Sequence, residues 1–314
     1  MQMVWQFFVI SSPLYGLVAA GYVIARLPWW RSAWTQYLSG FVFAVALPAM
    51  LFSMMSHRAS LPAMAGRVLL AYFGSCLIVF FIGRALGAWA FRLNGADRSV
   101  FALGGIFSNI VLTGLPITRL TLGAAAVPAV ALLVIFNALT LWTLVSVSVE
   151  WARHGSFSVR GFTATAGRVL RNPLIVAIIG GTAFGRLGFA LPARLDVALA
   201  TIGEIAVPAA LLMLGMGLAA FRLQQQWLGS LAVCALKLLL QPAVVWLLAV
   251  SLGLPALELR ALVLVASMSV GVNVYLMSLQ FESIPDTIAS SIVLSNLLAV
   301  ITTPLLLAAL HARS

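Results

Sequence analysis

Apolar residues run through this chain in long blocks, interrupted by short segments where glycine, proline and arginine collect. A helix needs about 20 apolar residues to cross the hydrocarbon core of a bilayer. Blocks of that kind fall near 4–25, 36–55, 68–90, 99–118, 125–150, 172–189, 198–220, 227–252, 258–280 and 286–310. The pattern predicts an all-α polytopic membrane protein with ten transmembrane helices. The segment 151–171, WARHGSFSVRGFTATAGRVLR, is the longest polar stretch and carries four arginines. It divides the chain into a first five-span unit (1–150), a basic linker (151–171) and a second five-span unit (172–314).

The two units resemble each other at a nearly constant offset. SPLYGLVAAGYVIARL (12–27) aligns with NPLIVAIIGGTAFGRL (172–187), placing Pro13 on Pro173, Gly21 on Gly181 and Arg26 on Arg186. At the same offset of 160, VALPAML meets IAVPAAL and Pro48 meets Pro208, while Asn137 and Asn296 match at 159. An odd number of spans per unit sends the second unit into the membrane from the opposite side. The expectation is an inverted-topology repeat, a common plan of secondary transporters.

Two spans carry polar interruptions at corresponding places. The fourth contains SNIVLTGLPI (108–117), with Asn109, Thr113, Gly114 and Pro116. Pro116 lacks an N–H and its ring clashes with the carbonyl of Leu112, and Gly114 permits the dihedrals of a break. Such backbone survives in a bilayer only where protein or a water-filled cavity satisfies it. The simpler alternative is a proline kink filled by neighbouring side chains. The ninth span contains ASMSVGVNVYLMS (266–278), with Ser269, Gly271, Asn273 and Tyr275. The offset of 160 lays Asn109 on Ser269 and Thr113 on Asn273. Paired interruptions predict discontinuous helices crossing at a transport site near the bilayer midplane. Half-helix N-termini suit anions, and asparagine side chains both donate and accept hydrogen bonds. These eight residues are the candidate substrate-binding set, for a small organic anion.

Composition agrees with the pattern. The 314 residues are 63% hydrophobic and 8% charged, with a mean hydropathy of +1.11. A soluble fold of this size needs more charge to cover its surface. The basic excess, +11, comes almost wholly from arginine in segments between apolar blocks. That distribution fixes membrane orientation and does not suggest nucleic acid. With the N-terminus outside, ten arginines fall on the cytoplasmic side and seven on the other. A short linker with four arginines is costly to translocate, so both termini are expected outside an inner (plasma) membrane. The start, MQMVWQFFVI, has no basic n-region and reads as the beginning of a retained first span.

Few charges fall within the blocks. Intramembrane ionisable groups are expensive and therefore functional candidates. Lys237 in the eighth span either binds or couples, or satisfies carbonyls freed by a broken helix. Glu204 in the seventh pairs with Lys237, lines a wet vestibule or carries a proton. Asn137 and Asn296 read as bonds between helices, and Pro48 and Pro208 as shaping the second and seventh spans. GRALG (83–87) fits a small-xxx-small packing pattern. Cys76 and Cys234 lie in apolar runs as small apolar residues. His57, His154 and His311 all fall in loops or at the terminus, which argues against a metal site or a Ser–His centre. No enzyme activity and no cofactor are expected.

The chain resembles the auxin efflux carrier family, whose bacterial members include malonate and malate permeases. The resemblance rests on SNIVLTGLPI, on RNPLIVAIIGG opening the second unit, on VPAALLMLGMGL and on VGVNVYLM. It implies a scaffold from spans 1, 2, 6 and 7, a transport domain from spans 3–5 and 8–10, an elevator-type motion and a homodimer. It also implies that the unwound parts of spans four and nine cross at the substrate site. Family members usually carry a proline in the second crossover, where this chain has Ser269. The third span lacks the acid that plant relatives place near their site, which leaves Lys237, Glu204 or no coupling ion. The function expected is secondary transport of a carboxylate or dicarboxylate such as malonate or malate, with a proton or sodium ion as possible coupling partner. The competing reading is a sodium-coupled anion symporter of the bile-acid-transporter type. An intramembrane enzyme or a receptor ranks below both.

Overall fold

The structure is a computed structural model that describes residues 13, 16–57, 65–154, 171, 173–187, 191–219 and 227–311. The start of the predicted first span (4–12, 14 and 15) and most of the predicted linker (155–170) lie outside the described residues. All regular structure among the described residues is helical, as the apolar blocks predict. Helix α1 is Gly16–Arg26. Helix α2 begins as Ser32–Phe41 and continues through a π turn, Val42–Ala46, into Leu47–His57. Helix α3 is Ala65–Trp89 and α4 is Gly95–Gly104. A π turn at Ile110–Gly114 leads into α5, Leu115–Thr121, and α6 is Val127–His154. Then come α7 (Pro173–Arg186) and α8 (Ala193–Leu218). Helix α9 begins as Trp227–Ala235 and passes through a π turn, Leu236–Leu240, into Gln241–Ser251. Finally come α10 (Ala256–Ala266), α11 (Asn273–Gln280) and α12 (Pro285–His311). Among the described residues six helices, the longest of them Ala124–Arg153, are long and apolar enough to cross a membrane, and Gly16–Arg26, Ile110–Thr121 and Pro173–Arg186 are shorter apolar helices.

The three π turns share one cause. Each ends two residues before a proline: Pro48, Pro116 and Pro242. A proline inside a helix removes one N–H and clashes with the carbonyl four residues back. Widening the preceding turn by one residue relieves that clash. The N–H groups of Leu47, Leu115 and Gln241 accordingly reach back to the carbonyls of Val42, Ile110 and Leu236. Pro208 and Pro304 lie inside α8 and α12 without a π turn. Pro48 and Pro208, which occupy equivalent places in the sequence, therefore act differently on their helices.

Packing sorts the helices into two groups. Helix α2 lies along α7 and α8, and glycines bring them close. A Cβ at Gly181 would stand 2.7 Å from the Phe52 carbonyl oxygen, and one at Gly185 2.6 Å from that of Ser56. Gly21 of α1 faces the Leu212 carbonyl of α8 in the same way, and Gly215 of α8 faces that of Val18. Small residues of this kind allow helix backbones to approach in lipid, where no hydrophobic force drives association. The second group holds α3 to α6 and α9 to α12. Here α3 packs on α4 and α9, α4 on α6, and α12 on α9, α10 and α11. Gly83 of the GRALG segment lies against Ala102 of α4, where a Cβ would be 3.0 Å from its Cα. The groups meet where α8 touches the Ile110–Gly114 turn and where α6 touches α7.

One end of the molecule is distinctive. The end of α3, the start of α4, the end of α6, the start of α9 and the α11–α12 turn converge there. Ser283 donates to Asp97 at 2.6 Å, Arg153 donates to the Phe281 carbonyl, and Gly95 backs onto Ala152. Asn94 caps α4 by accepting from the Asp97 N–H at 2.9 Å, which satisfies one of the free donors of the helix start. Trp89, Trp151 and Trp227 stand exposed at this end. Trp29 and Trp30 of the α1–α2 turn and Trp34 of α2 cluster with ring centroids 5.1–6.2 Å apart.

Candidate functional site

Both predicted interruptions are present, and they meet. Between α4 and the Ile110–Gly114 turn the chain is unwound, as it is between α10 and α11. The unwound stretches pair as a single antiparallel bridge, Ser108 opposite Val270. Asn109 N donates to Ser269 O at 3.0 Å, and Gly271 N donates to Phe107 O at 2.8 Å. Each break thus supplies the hydrogen bonds that the other lacks, which a bilayer core demands. Gly271 makes this approach possible, because a Cβ there would stand 2.8 Å from the Phe107 ring. The second break forms with serine at position 269.

Two details differ from the sequence reading. The first break lies at 105–109, upstream of Pro116, and Pro116 instead opens α5 behind its π turn. The reciprocal bonds also relate Ser108 to Val270, an offset of 162, so Asn109 corresponds to Gly271 and not to Ser269.

Further polar side chains hold the unwound segments. The Tyr72 hydroxyl of α3 donates to Ser108 Oγ at 2.9 Å. The Ser295 hydroxyl of α12 accepts from Val270 N at 3.0 Å. Helix α9 serves the C-terminal ends of both broken helices: Gln241 Nε2 donates to Ile106 O at 2.8 Å, and Lys237 Nζ donates to Ala266 O. Lys237 is fully buried, so of its two expected roles the structure displays the carbonyl-satisfying one. Glu204 is exposed on α8 and makes no contact with Lys237. Tyr72, Gln241 and Ser295 were not among the candidates. The signal for Gln241 was present, since an amide four residues after a lone lysine interrupts an apolar run.

A cavity of about 410 Å³ lies between the two helix groups. Its walls come from α2 (Thr35, Ser39, Phe43), α7 (Leu174, Ile175) and the end of α8 (Met213, Leu214, Gly217, Leu218) on one side. On the other they come from 107–112, Val134 and Asn137 of α6, and Gly271 to Asn273 with Leu276. The starts of both half-helices that follow the breaks therefore face it, with N–H groups that have no acceptor in their own helix. None of the lining residues is charged. The volume holds roughly a dozen waters at ~30 Å³ each, or a small organic acid with a few waters.

The candidate residues divide accordingly. Asn109, Gly271 and Asn273 line the cavity. Asn109 Nδ2 and Ser269 Oγ are buried without a hydrogen-bond partner. Thr113 is turned inward, its hydroxyl donating to the Asn109 carbonyl at 2.6 Å, and the N–H groups of Thr113 and Gly114 reach that same oxygen. Gly114 and Pro116 are buried behind the wall, and Tyr275 packs against the core. Asn137 lines the cavity with Oδ1 unpartnered, so it is not the interhelical bond expected of it. Asn296 bonds within α12, its Nδ2 donating to Ile292 O at 2.8 Å.

Apolar helices of membrane-crossing length, two mutually paired helix breaks and an uncharged hydrogen-bonding cavity between two helix groups define a multi-pass membrane transport protein. Residues 9–158 and 162–307 match the membrane transport protein family, and the chain belongs to that family, that of the auxin efflux carriers. The chain is also 28% identical over 294 residues to a protein of Rhizobium meliloti (strain 1021) named "Putative malonate transporter", covering 92% of this chain and 91% of that protein.

Proposed function

We propose that this protein is a secondary transporter of a small carboxylate, of the size and chemistry of malonate or malate, working by an elevator-type movement. The observation that carries the reading is the cavity at the crossing. Two half-helix N-termini and three asparagines face a space of organic-acid size with no charged side chain in its wall. Free N–H donors and the positive ends of helix dipoles favour an anion there. Asn109 Nδ2 offers a donor that no protein group takes up. The relative's name points to the same substrate class.

The architecture supports the ten-span inverted repeat. Gly21 and Gly181 correspond at 160, and so do the carbonyls they face, Leu212 and Phe52. The turns agree as well: Arg92 and Gly253, at matching points of the α3–α4 and α9–α10 turns, both have positive φ. In this reading α1, α2, α7 and α8 are the scaffold, and the remaining helices are the moving transport domain. Exposed tryptophans gather at one end, where interfacial indoles belong. The arginine bias supports a cytoplasmic placement of that end and external termini. A homodimer through the scaffold, in the inner membrane, completes the picture.

The test is uptake of labelled acetate, malonate, succinate and malate into proteoliposomes by wild type, Asn109→Ala and Asn273→Ala. Saturable uptake of at least one acid, abolished in both variants, is the expected result. Normal uptake in both would remove the crossing as the substrate site.

A further inference from the structure

The crossing poses an electrostatic problem. Four helix ends meet there: the C-termini of α4 and α10 and the N-terminal starts that follow each break. The two negative ends offset part of the pull that the two positive ends exert on an anion. Something must quench the carbonyl ends. Two residues on one face of α9, four apart, reach them: Gln241 at the end of α4 and Lys237 at the end of α10.

Lys237 is the chain's single lysine, and its ammonium is fully buried. No carboxylate accompanies it. Of the seven acids, Asp97, Asp196, Glu258 and Asp286 lie in first turns of helices, Glu150 in the last turns of α6, Glu282 in a turn, and Glu204 is exposed on α8. A buried charge without an opposite partner is strongly unfavourable. The carbonyl it holds, Ala266 O, is five residues from Gly271 in the cavity wall.

We propose that Lys237 is a resident cation: it occupies the place that a coupling sodium ion would fill at the carbonyl end of α10, and its missing counter-charge is the carboxylate substrate. The idea rests on the carboxylate-transport reading given above. It makes the crossing net positive by leaving both N-terminal ends uncompensated, and it makes anion binding independent of sodium. Gln241 performs the same service for α4 without charge, so of the two carbonyl ends only that of α10 receives a positive charge.

The experiment measures binding of acetate, malonate, succinate and malate to purified full-length protein, in sodium chloride and in choline chloride at equal ionic strength. Wild type, Lys237→Arg and Lys237→Met are compared, with size-exclusion profiles as the check on folding. Wild type is expected to bind with the same affinity in both salts. Lys237→Met is expected to lose about tenfold or more in choline, with part of the loss recovered in sodium or ammonium chloride, and Lys237→Arg to keep most of the affinity. Binding by wild type that vanishes in choline overturns the resident-cation idea while leaving carboxylate transport intact. So does a folded Lys237→Met with wild-type affinity. If Lys237→Met does not fold, the wild-type salt comparison still decides. Failure of wild type to bind any of the acids in either salt removes the carboxylate reading and this inference with it.

Discussion

Replacing Gly271 with alanine should damage the site out of proportion to the single methyl group added. The new Cβ would stand 2.8 Å from Phe107 Cδ1 and 3.2 Å from the Ser108 carbonyl oxygen, well inside the ~3.5–4.0 Å at which carbon atoms rest. Two movements relieve the clash. The Phe107 ring can swing away, but Phe107 lines the cavity and would narrow it. Otherwise the two unwound segments separate, stretching the bonds of 2.8 and 3.0 Å that join them. Overpacking of this kind costs about 1–3 kcal/mol, and each buried N–H left unpaired adds about 1–3 kcal/mol. Gly217→Ala is the control, because Gly217 lines the same cavity with nothing within 4 Å of where its Cβ would be. Thermal unfolding in detergent and carboxylate binding would both be measured. Gly271→Ala should melt earlier and bind about 5-fold to 150-fold more weakly, from the same 1–3 kcal/mol. Gly217→Ala should stay within about 0.5 kcal/mol of wild type. Equal behaviour of the two variants would refute the close-approach role of Gly271.

Four other substitutions, with one control, separate packing from recognition. Asn109→Ala removes a side-chain donor with no protein partner, so its melting temperature should match wild type while carboxylate affinity falls about tenfold or more; an equal loss of both would mean the amide is structural. Gln241→Leu uncaps the Ile106 carbonyl, and unfolding should become easier by about 1–3 kcal/mol, read as a lower melting temperature. Gly21→Ala and Gly215→Ala should each destabilise strongly, because the added methyl meets backbone that cannot turn aside. Gly16→Ala on the same helix, with nothing nearby, should be silent in the same melt.

The legible part of this molecule is the part that lipid dictates. A bilayer forces long apolar blocks and forbids unpaired backbone, so the all-helical fold and both interruptions could be read directly from hydropathy and from Gly, Asn and Pro. The position of the first break could not. Pro116 looked like its cause, yet one extra residue in the Ile110–Gly114 turn absorbs the ring, and the chain unwinds earlier at 105–109. The register at the crossing was also hidden. An alignment anchored on Pro13 and Pro48 carries an offset of 160 forward, while the reciprocal bonds of Phe107, Asn109, Ser269 and Gly271 need 162. Asn137 and Asn296 show the consequence: similar in sequence place, one looks into the cavity and the other bonds its own helix. Each residue of shift turns a side chain by about 100° around the helix axis. Tyr72 and Ser295 were missed because an isolated hydroxyl in a span has meaning only through the distant atom it meets.

The pairing of Ser108 with Val270 also constrains how the protein can be made. The donor and acceptor of each break belong to different halves, separated by about half the length of the chain. At ~5–20 residues per second of synthesis, the first half waits roughly ten to thirty seconds before Ser269 and Gly271 exist. Throughout that interval Phe107 O and Asn109 N have no lasting partner in hydrocarbon. The first broken helix must therefore reach its final form only after the second arrives, and the first half expressed alone should be poorly inserted and quickly degraded. Biogenesis thus depends on both halves meeting at one point.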